Sequence, residues 1–304
     1  MNAFAGFSGV VPLGAVKTFV VGLDGSEHAR DALKWARAVA TADARIVVVH
    51  SWEIPIVTGY EAVTAVDTTA VEQAAKEFLT GAIGESDDRR IEGRLVTGHP
   101  GRALVETAAE LGPDAVVVVG HGGSSKAALL LGSTANYVMH HTKAPVVVVR
   151  GACRLPVRHV VVGIDDPHRH EELDQPSLAA LKWAVELEGV ERVEVHHSEF
   201  VPTMVAGPLS QPGTEPEEAE EHDARLLRAS IARATGGSGD APNGAAVVPV
   251  LSSRNAAFDL IEASRDADLV VIGSRGRPGI LELLAGSTSL EVTAHCHCPV
   301  AVLR

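Results

Sequence analysis

Aromatic side chains make up only 4% of this 304-residue chain, so its cores must be built mainly from Val, Leu, Ile and Ala. Cysteine is as scarce. Cys153, Cys296 and Cys298 form no disulfide framework, which makes a reducing cytoplasm the expected compartment. Positive charge is in deficit: the formal net charge is −13, which argues against broad electrostatic binding to nucleic acid or an anionic membrane. A polyanionic ligand would have to be held locally, by backbone N–H groups, helix ends or a metal ion. No run approaches the roughly 18 continuous apolar residues that a membrane span requires. The opening stretch MNAFAGFSGVVPLGA has no basic residue ahead of its apolar part. It therefore makes a poor signal peptide, and residues 1–15 are read as a leader.

What is present is a repeat. Ala32-Leu33-Lys34-Trp35-Ala36 returns as Ala180-Leu181-Lys182-Trp183-Ala184, and Val20-Val21-Gly22-Leu23-Asp24 as Val161-Val162-Gly163-Ile164-Asp165. LGST at 131–134 answers AGST at 285–288, and Ala144–Arg150 answers Cys298–Arg304, both at an offset of 154. Matches kept in one order at nearly constant spacing mean duplication, with domains expected at 1–152 and 153–304.

Each copy alternates short Val-rich runs with helical patterns. Strands are expected near 17–23, 45–51, 91–96, 114–120 and 145–150, then near 158–164, 192–198, 246–251, 268–273 and 299–303. Helical patterns include Asp31–Ala40, Ala103–Leu111 and Ala256–Ser264. Short apolar strands joined by helices predict an α/β fold: two tandem doubly wound, Rossmann-like domains, each with a five-stranded, mainly parallel sheet. The apolar terminal strands of the copies are free to pair with each other, as a pseudo-dimer, or with another chain, as a homodimer.

In such a fold ligands bind beyond the carboxyl ends of the strands where strand order reverses, here expected between the first and fourth strands. Asp24 ends the first strand and Gly120 the fourth; Asp165 and Gly273 do the same in the second copy. After Gly273 come Gly276 and then Gly286-Ser287-Thr288, which opens a helix. Glycines admit an anion close to the backbone, and the helix start offers unpaired N–H groups and a positive dipole end. The first copy has Gly120, Gly122, Gly123 and then Gly132-Ser133-Thr134, a loop one residue shorter when counted from its first glycine. No Walker A GK[ST] motif is present. Asp24 and Asp165 have two readings, a cap on the following loop or a ligand contact.

The spacing Gly-x2-Gly-x9-Gly-Ser, after an apolar strand and an Asp-ended first strand, resembles the ATP-binding universal stress proteins. Tandem members of that family are similar in length and layout, over nearly all of Lys17–Arg304. The resemblance implies ATP with Mg2+ as ligand. It implies that Asp165 holds the adenosine, that Gly273 and Gly276 contact ribose and phosphates, and that Gly286 and Ser287 contact the phosphates. It also implies a backbone contact to adenine near Ser51 and Ser198. A stress-response regulator acting as a ligand-controlled switch on an unidentified protein partner is the function implied. A slow ATP hydrolase or nucleotidyl transferase, with Arg275, Arg277 and Lys126 as cations, is the alternative; a non-catalytic scaffold with a degenerate first site is another. His295-Cys296-His297-Cys298 invites a zinc site, but alternate side chains there point apart and the first copy has no matching thiols. His168 and His170 lie in a polar insertion read as a solvated loop.

Overall fold

A computed structural model describes residues 18–53, 68–84, 88–120, 131–164, 175–198, 216–237, 241–274 and 287–304. The first copy runs β1 (Thr18–Gly22), α1 (Glu27–Val39), β2 (Arg45–Trp52), α2 (Thr68–Gly84), β3 (Ile91–Thr97), α3 (Pro100–Leu111), β4 (Ala115–Val119), α4 (Ser133–His141) and β5 (Val146–Val149). The second runs β6 (His159–Gly163), α5 (Gln175–Glu186), β7 (Arg192–Ser198), α6 (Pro216–Ala234), β8 (Ala246–Ser252), α7 (Ala256–Ala263), β9 (Leu269–Gly273), α8 (Ser287–His295) and β10 (Val300–Leu303).

The valine runs form strands because successive side chains alternate between two dry faces. Val147 and Val149 enter one core, Val146 and Val148 the other. Helix α1 starts a turn earlier than its apolar pattern suggests, because the Ser26 hydroxyl accepts the Ala29 N–H at 3.1 Å as an N-cap. Its other end is closed from a distance. The Arg90 guanidinium donates to the carbonyls of Arg37, Ala40 and Thr41, and Asp88 holds it through a 2.7 Å ion pair. Hydrogen bonding from Arg90 outweighs burial and keeps the Asp88 carboxyl well below the usual carboxylate range. A depressed carboxylate stabilises the fold above its ordinary titration range, and that stability is lost as pH falls below about 4. Arg90→Ala is therefore expected to cost about 2 kcal/mol, measured by urea unfolding at neutral pH, with a smaller difference between variant and parent in acid.

The strand order is β3-β2-β1-β4-β5-β10-β9-β6-β7-β8. The two expected five-stranded sheets are thus one ten-stranded sheet, parallel within each half. The join is the antiparallel pair β5–β10, where Val147 faces Ala301, Val146 faces Val302 and Val148 faces Val300. Val147 and Ala301 are counterparts in the repeat, so the pairing is symmetric about them, like the isologous interface of a two-fold dimer. Both apolar cores continue across this seam: one holds Trp35 with Trp183, the other Val138 with Val292. Because β5 and β10 run in opposite directions, the carboxyl ends of the two sets of strands lie on opposite edges of the sheet. The outermost strands are poor templates for further pairing. β3 carries Glu92 and Arg94, ion-paired to Arg45 and Glu110, and β8 carries Pro249.

Candidate functional site

β1 and β4 are neighbours, and their connections leave on opposite faces: α1 belongs to one core, α3 and α4 to the other. This divergence opens a cleft of about 160 Å³ at the strand ends, lined by Gly22, Leu23, Asp24, Val49, His50, Ser51, Pro100, Leu104, Val118, Val119 and Thr134. An apolar cavity of about 150 Å³ is enough to lodge a single aromatic ring.

Its walls are firmly tied. The Leu23 N–H donates to the Val49 carbonyl at 2.9 Å, and His50 Nδ1–H donates to the Leu23 carbonyl at 2.8 Å. Since a carbonyl only accepts, this second bond sets the His50 tautomer. Asp24 is exposed at the rim, and its Oδ1 accepts the Ser26 N–H at 2.9 Å. The capping reading of Asp24 is thus realised by one oxygen of its carboxylate. Gly25 turns the chain from the rim into α1 at φ +87, a conformation that favours glycine. The Ser51 hydroxyl donates to the Gly98 carbonyl, which fastens the end of β2 to the turn before α3.

Thr134 brings α4 to this cleft. Gly132 is its N-cap and supplies no side-chain hydrogen bond, while Ser133 is exposed beside it. Among the described residues no side chain caps the first turn of this nine-residue helix, whose N–H groups suit a ligand or solvent. Gly120 has a packing role. Its N–H extends the sheet by donating to the Val149 carbonyl at 3.0 Å, and an added Cβ would lie 2.9 Å from Val148 Cγ1. It is a packing glycine between β4 and β5. Gly122 and Gly123 lie outside the described residues.

Asp165, Gly276 and Gly286 of the second half lie outside the described residues, as do His168, His170, Arg275 and Arg277, and Lys126 of the first half. Ser198 ends β7 opposite Ser252, and Ser287 and Thr288 are exposed at the start of α8. Gly273 ends β9 under the first turn of α5, where an added Cβ would meet the Pro176 backbone at 2.6–2.8 Å. The Ser289 hydroxyl donates to the Gly273 carbonyl at 3.2 Å.

Sheet register corrects the comparison of the two glycine loops. Ser274 donates to Leu303 as Gly120 donates to Val149, so Ser274, not Gly273, is the counterpart of Gly120. Val119 is the counterpart of Gly273, and each stands 14 positions before the first residue of its helix. The loops are therefore equal in length, Gly122 matches Gly276, and Gly132 matches Gly286. The apparent shortfall arose from aligning glycines across a strand in which the first half carries its glycine one place later.

Other readings resolve by burial. Cys296 and Cys298 both enter a core and His295 stays exposed, so the four side chains do not converge. Burial pushes the Cys296 thiol up to about 11 and the Cys298 thiol higher still. Among the described residues no three His, Cys, Asp or Glu side chains are placed to hold a metal ion. Trp35 and Trp183 are core residues, with Phe19 edge-on to Trp35. One feature went unread in the sequence: His196 on β7 bridges Asp259 on α7 and Glu194. A histidine and a glutamate two places apart in a buried strand were its only signal.

The universal stress protein family model matches residues 15–150 and 156–304. A universal stress protein of Mycolicibacterium smegmatis is 28% identical over 302 residues, 94% of this chain and 96% of its own length. The crystal structure of a universal stress protein from Archaeoglobus fulgidus shares the fold, with a TM-score of 0.64 at 18% identity, over 94% of this chain and 96% of its own. A universal stress protein solved in complex with cAMP is 32% identical, with a TM-score of 0.30, over 43% of this chain and 94% of its own. Two successive matches fall on two halves of identical topology. The chain belongs to the universal stress protein family.

Proposed function

We propose that each half binds an adenine nucleotide, ATP with Mg2+, at its switch-point crevice, and that the protein is a stress-response switch read by a protein partner in the cytoplasm. One observation carries this reading: the uncapped N-terminus of α4 faces a cleft whose rim is Asp24 and whose walls are Val49, Leu104 and Val118. Phosphates suit the helix start, an aromatic base suits the apolar walls, and a ribose hydroxyl suits the free oxygen of the rim carboxylate. A magnesium ion would offset phosphate charge that this acidic protein does not neutralise. Binding rather than turnover is favoured, because among the described residues lining the cleft there is no lysine or arginine to offset charge developing on a transferring phosphate. As a switch the protein requires only that one conformation bind nucleotide better than another.

The test is nucleotide content and stoichiometry after denaturing freshly purified protein, followed by titration with ATP and with cyclic AMP, with and without magnesium. Asp24→Ala is expected to weaken the first site about tenfold, and Asp165→Ala the second, each leaving the other site and the unfolding midpoint in place. Absence of any nucleotide binding overturns the proposal. Turnover at ordinary enzymatic rates overturns its binding-only form.

A further inference from the structure

The space between β2 and α3 in the first half is apolar: Val47, Val49 and Ala103 share one core. In the second half the same register positions carry Glu194, His196 and Asp259. Gly22 faces Val49 where Gly163 faces His196, and Ala103 and Asp259 each stand four places after their helix caps. His196 Nδ1 lies 2.8 Å from Asp259 Oδ2, and its Nε2 lies 3.3 Å from Glu194 Oε2. Carboxylates only accept, so both contacts are hydrogen bonds only when both ring nitrogens carry protons. The three side chains are 7%, 13% and 18% exposed, in the order His196, Asp259, Glu194. The other groups facing them are few. Glu194 Oε1 takes Arg192 at 2.7 Å and His159 at 3.4 Å. β8 has no titratable residue, and Glu262 of α7 is paired with Arg265.

We propose that Glu194, His196 and Asp259 form a proton-dependent latch between β7 and α7, closed while His196 carries both ring protons, a contact that the apolar counterpart between β2 and α3 lacks. Once the ring gives up a proton it keeps a single N–H. One carboxylate then loses its donor and the cluster gains a negative charge, so α7 is held less firmly on the alkaline side. On the acid side the latch persists. Burial favours the neutral acid of Glu194, yet hydrogen bonds from Arg192 and His196 keep its carboxyl below the ordinary range.

The latch bears on the second crevice. Leu260 of α7 stands where Leu104 walls the first cleft, close against Gly163, and the His196 carbonyl accepts the N–H of Ile164, the residue before Asp165, at 3.0 Å. That consequence for ligand affinity rests on the nucleotide reading; the latch itself does not.

Hydrogen exchange of the intact, nucleotide-free chain at about pH 6 and about pH 8.5 tests it. After correction for intrinsic rates, α7 is expected to lose about tenfold in protection at the higher pH, while α3 loses none. The combined variant Glu194→Val, His196→Val and Asp259→Ala installs the first half's residues and should abolish the response of α7. Should that variant not fold, Asp259→Asn, which keeps the shape without the charge, must reduce it. An equal response of α7 and α3 in the parent, or an undiminished response in the folded combined variant or in Asp259→Asn, overturns the latch. ATP titration at both pH values then reads the coupling. A protein that binds no nucleotide at either pH defeats the functional reading, while exchange still decides the latch.

Discussion

Val147→Asp is expected to open the seam between the two halves and to cost about 4 kcal/mol or more. Val147 is fully buried at the centre of the β5–β10 pairing, opposite Ala301, with its side chain in the core that also holds Trp35 and Trp183. The side chains that share this core with Val147 are apolar, so the new carboxyl must either be buried neutral without its hydrogen bonds or drive the strands apart to reach water. The second course exposes two all-apolar edges, which would associate between chains. Urea unfolding should shift to a much lower midpoint or split into two transitions. Limited proteolysis should begin to cut between the halves, near residues 150–157. Val96→Asp, at a half-buried position on the outermost strand β3, should cost less than half as much. An unchanged midpoint for Val147→Asp would show that the seam does not hold the halves together.

Gly273→Ala is expected to destabilise the second half by about 2–3 kcal/mol, even without any ligand. The added methyl would fall 2.6–2.8 Å from the carbonyl carbon, oxygen and Cβ of Pro176. Those atoms belong to the first turn of α5, so relief requires the helix to move rather than a side chain to swing. The shift should appear as a melting temperature lower by several degrees in nucleotide-free protein. Val119→Gly, which gives the first half the same spacing, should cost less, about 1 kcal/mol, since it removes a side chain from a strand without creating a clash. If Gly273→Ala leaves the melting temperature of nucleotide-free protein unchanged and only weakens nucleotide binding, the packing role assigned to Gly273 is wrong.

These two positions show how much of the molecule was legible in advance. The duplication, the ten strands and the α/β class were readable because each rests on local pattern: valine runs bounded by turns, and helices with one apolar stripe. The crevice was readable as well, because Asp24, Ser51 and Thr134 follow strand ends or a helix start, and the structure brings all three to one cleft. Gly120 was not. Its neighbours Val148 and Arg150 lie on the next strand, and no local pattern distinguishes a glycine that packs from one that approaches a phosphate. The Glu194–His196–Asp259 chain was hidden for the same reason, since Asp259 is 63 residues from His196 in sequence.

By itself the sequence determined two copies of one doubly wound unit, the ends of their strands, and the glycines and hydroxyls at a helix start. Those follow from side-chain periodicity and backbone preference within a few residues. Only the tertiary structure decided that the copies share one sheet, that the carboxyl ends of their strands lie on opposite edges of it, and that Ser274 is the counterpart of Gly120, which makes the glycine loops equal in length. Register and direction are set by hydrogen bonds between segments far apart in the chain, so counting residues along either copy could not reveal them.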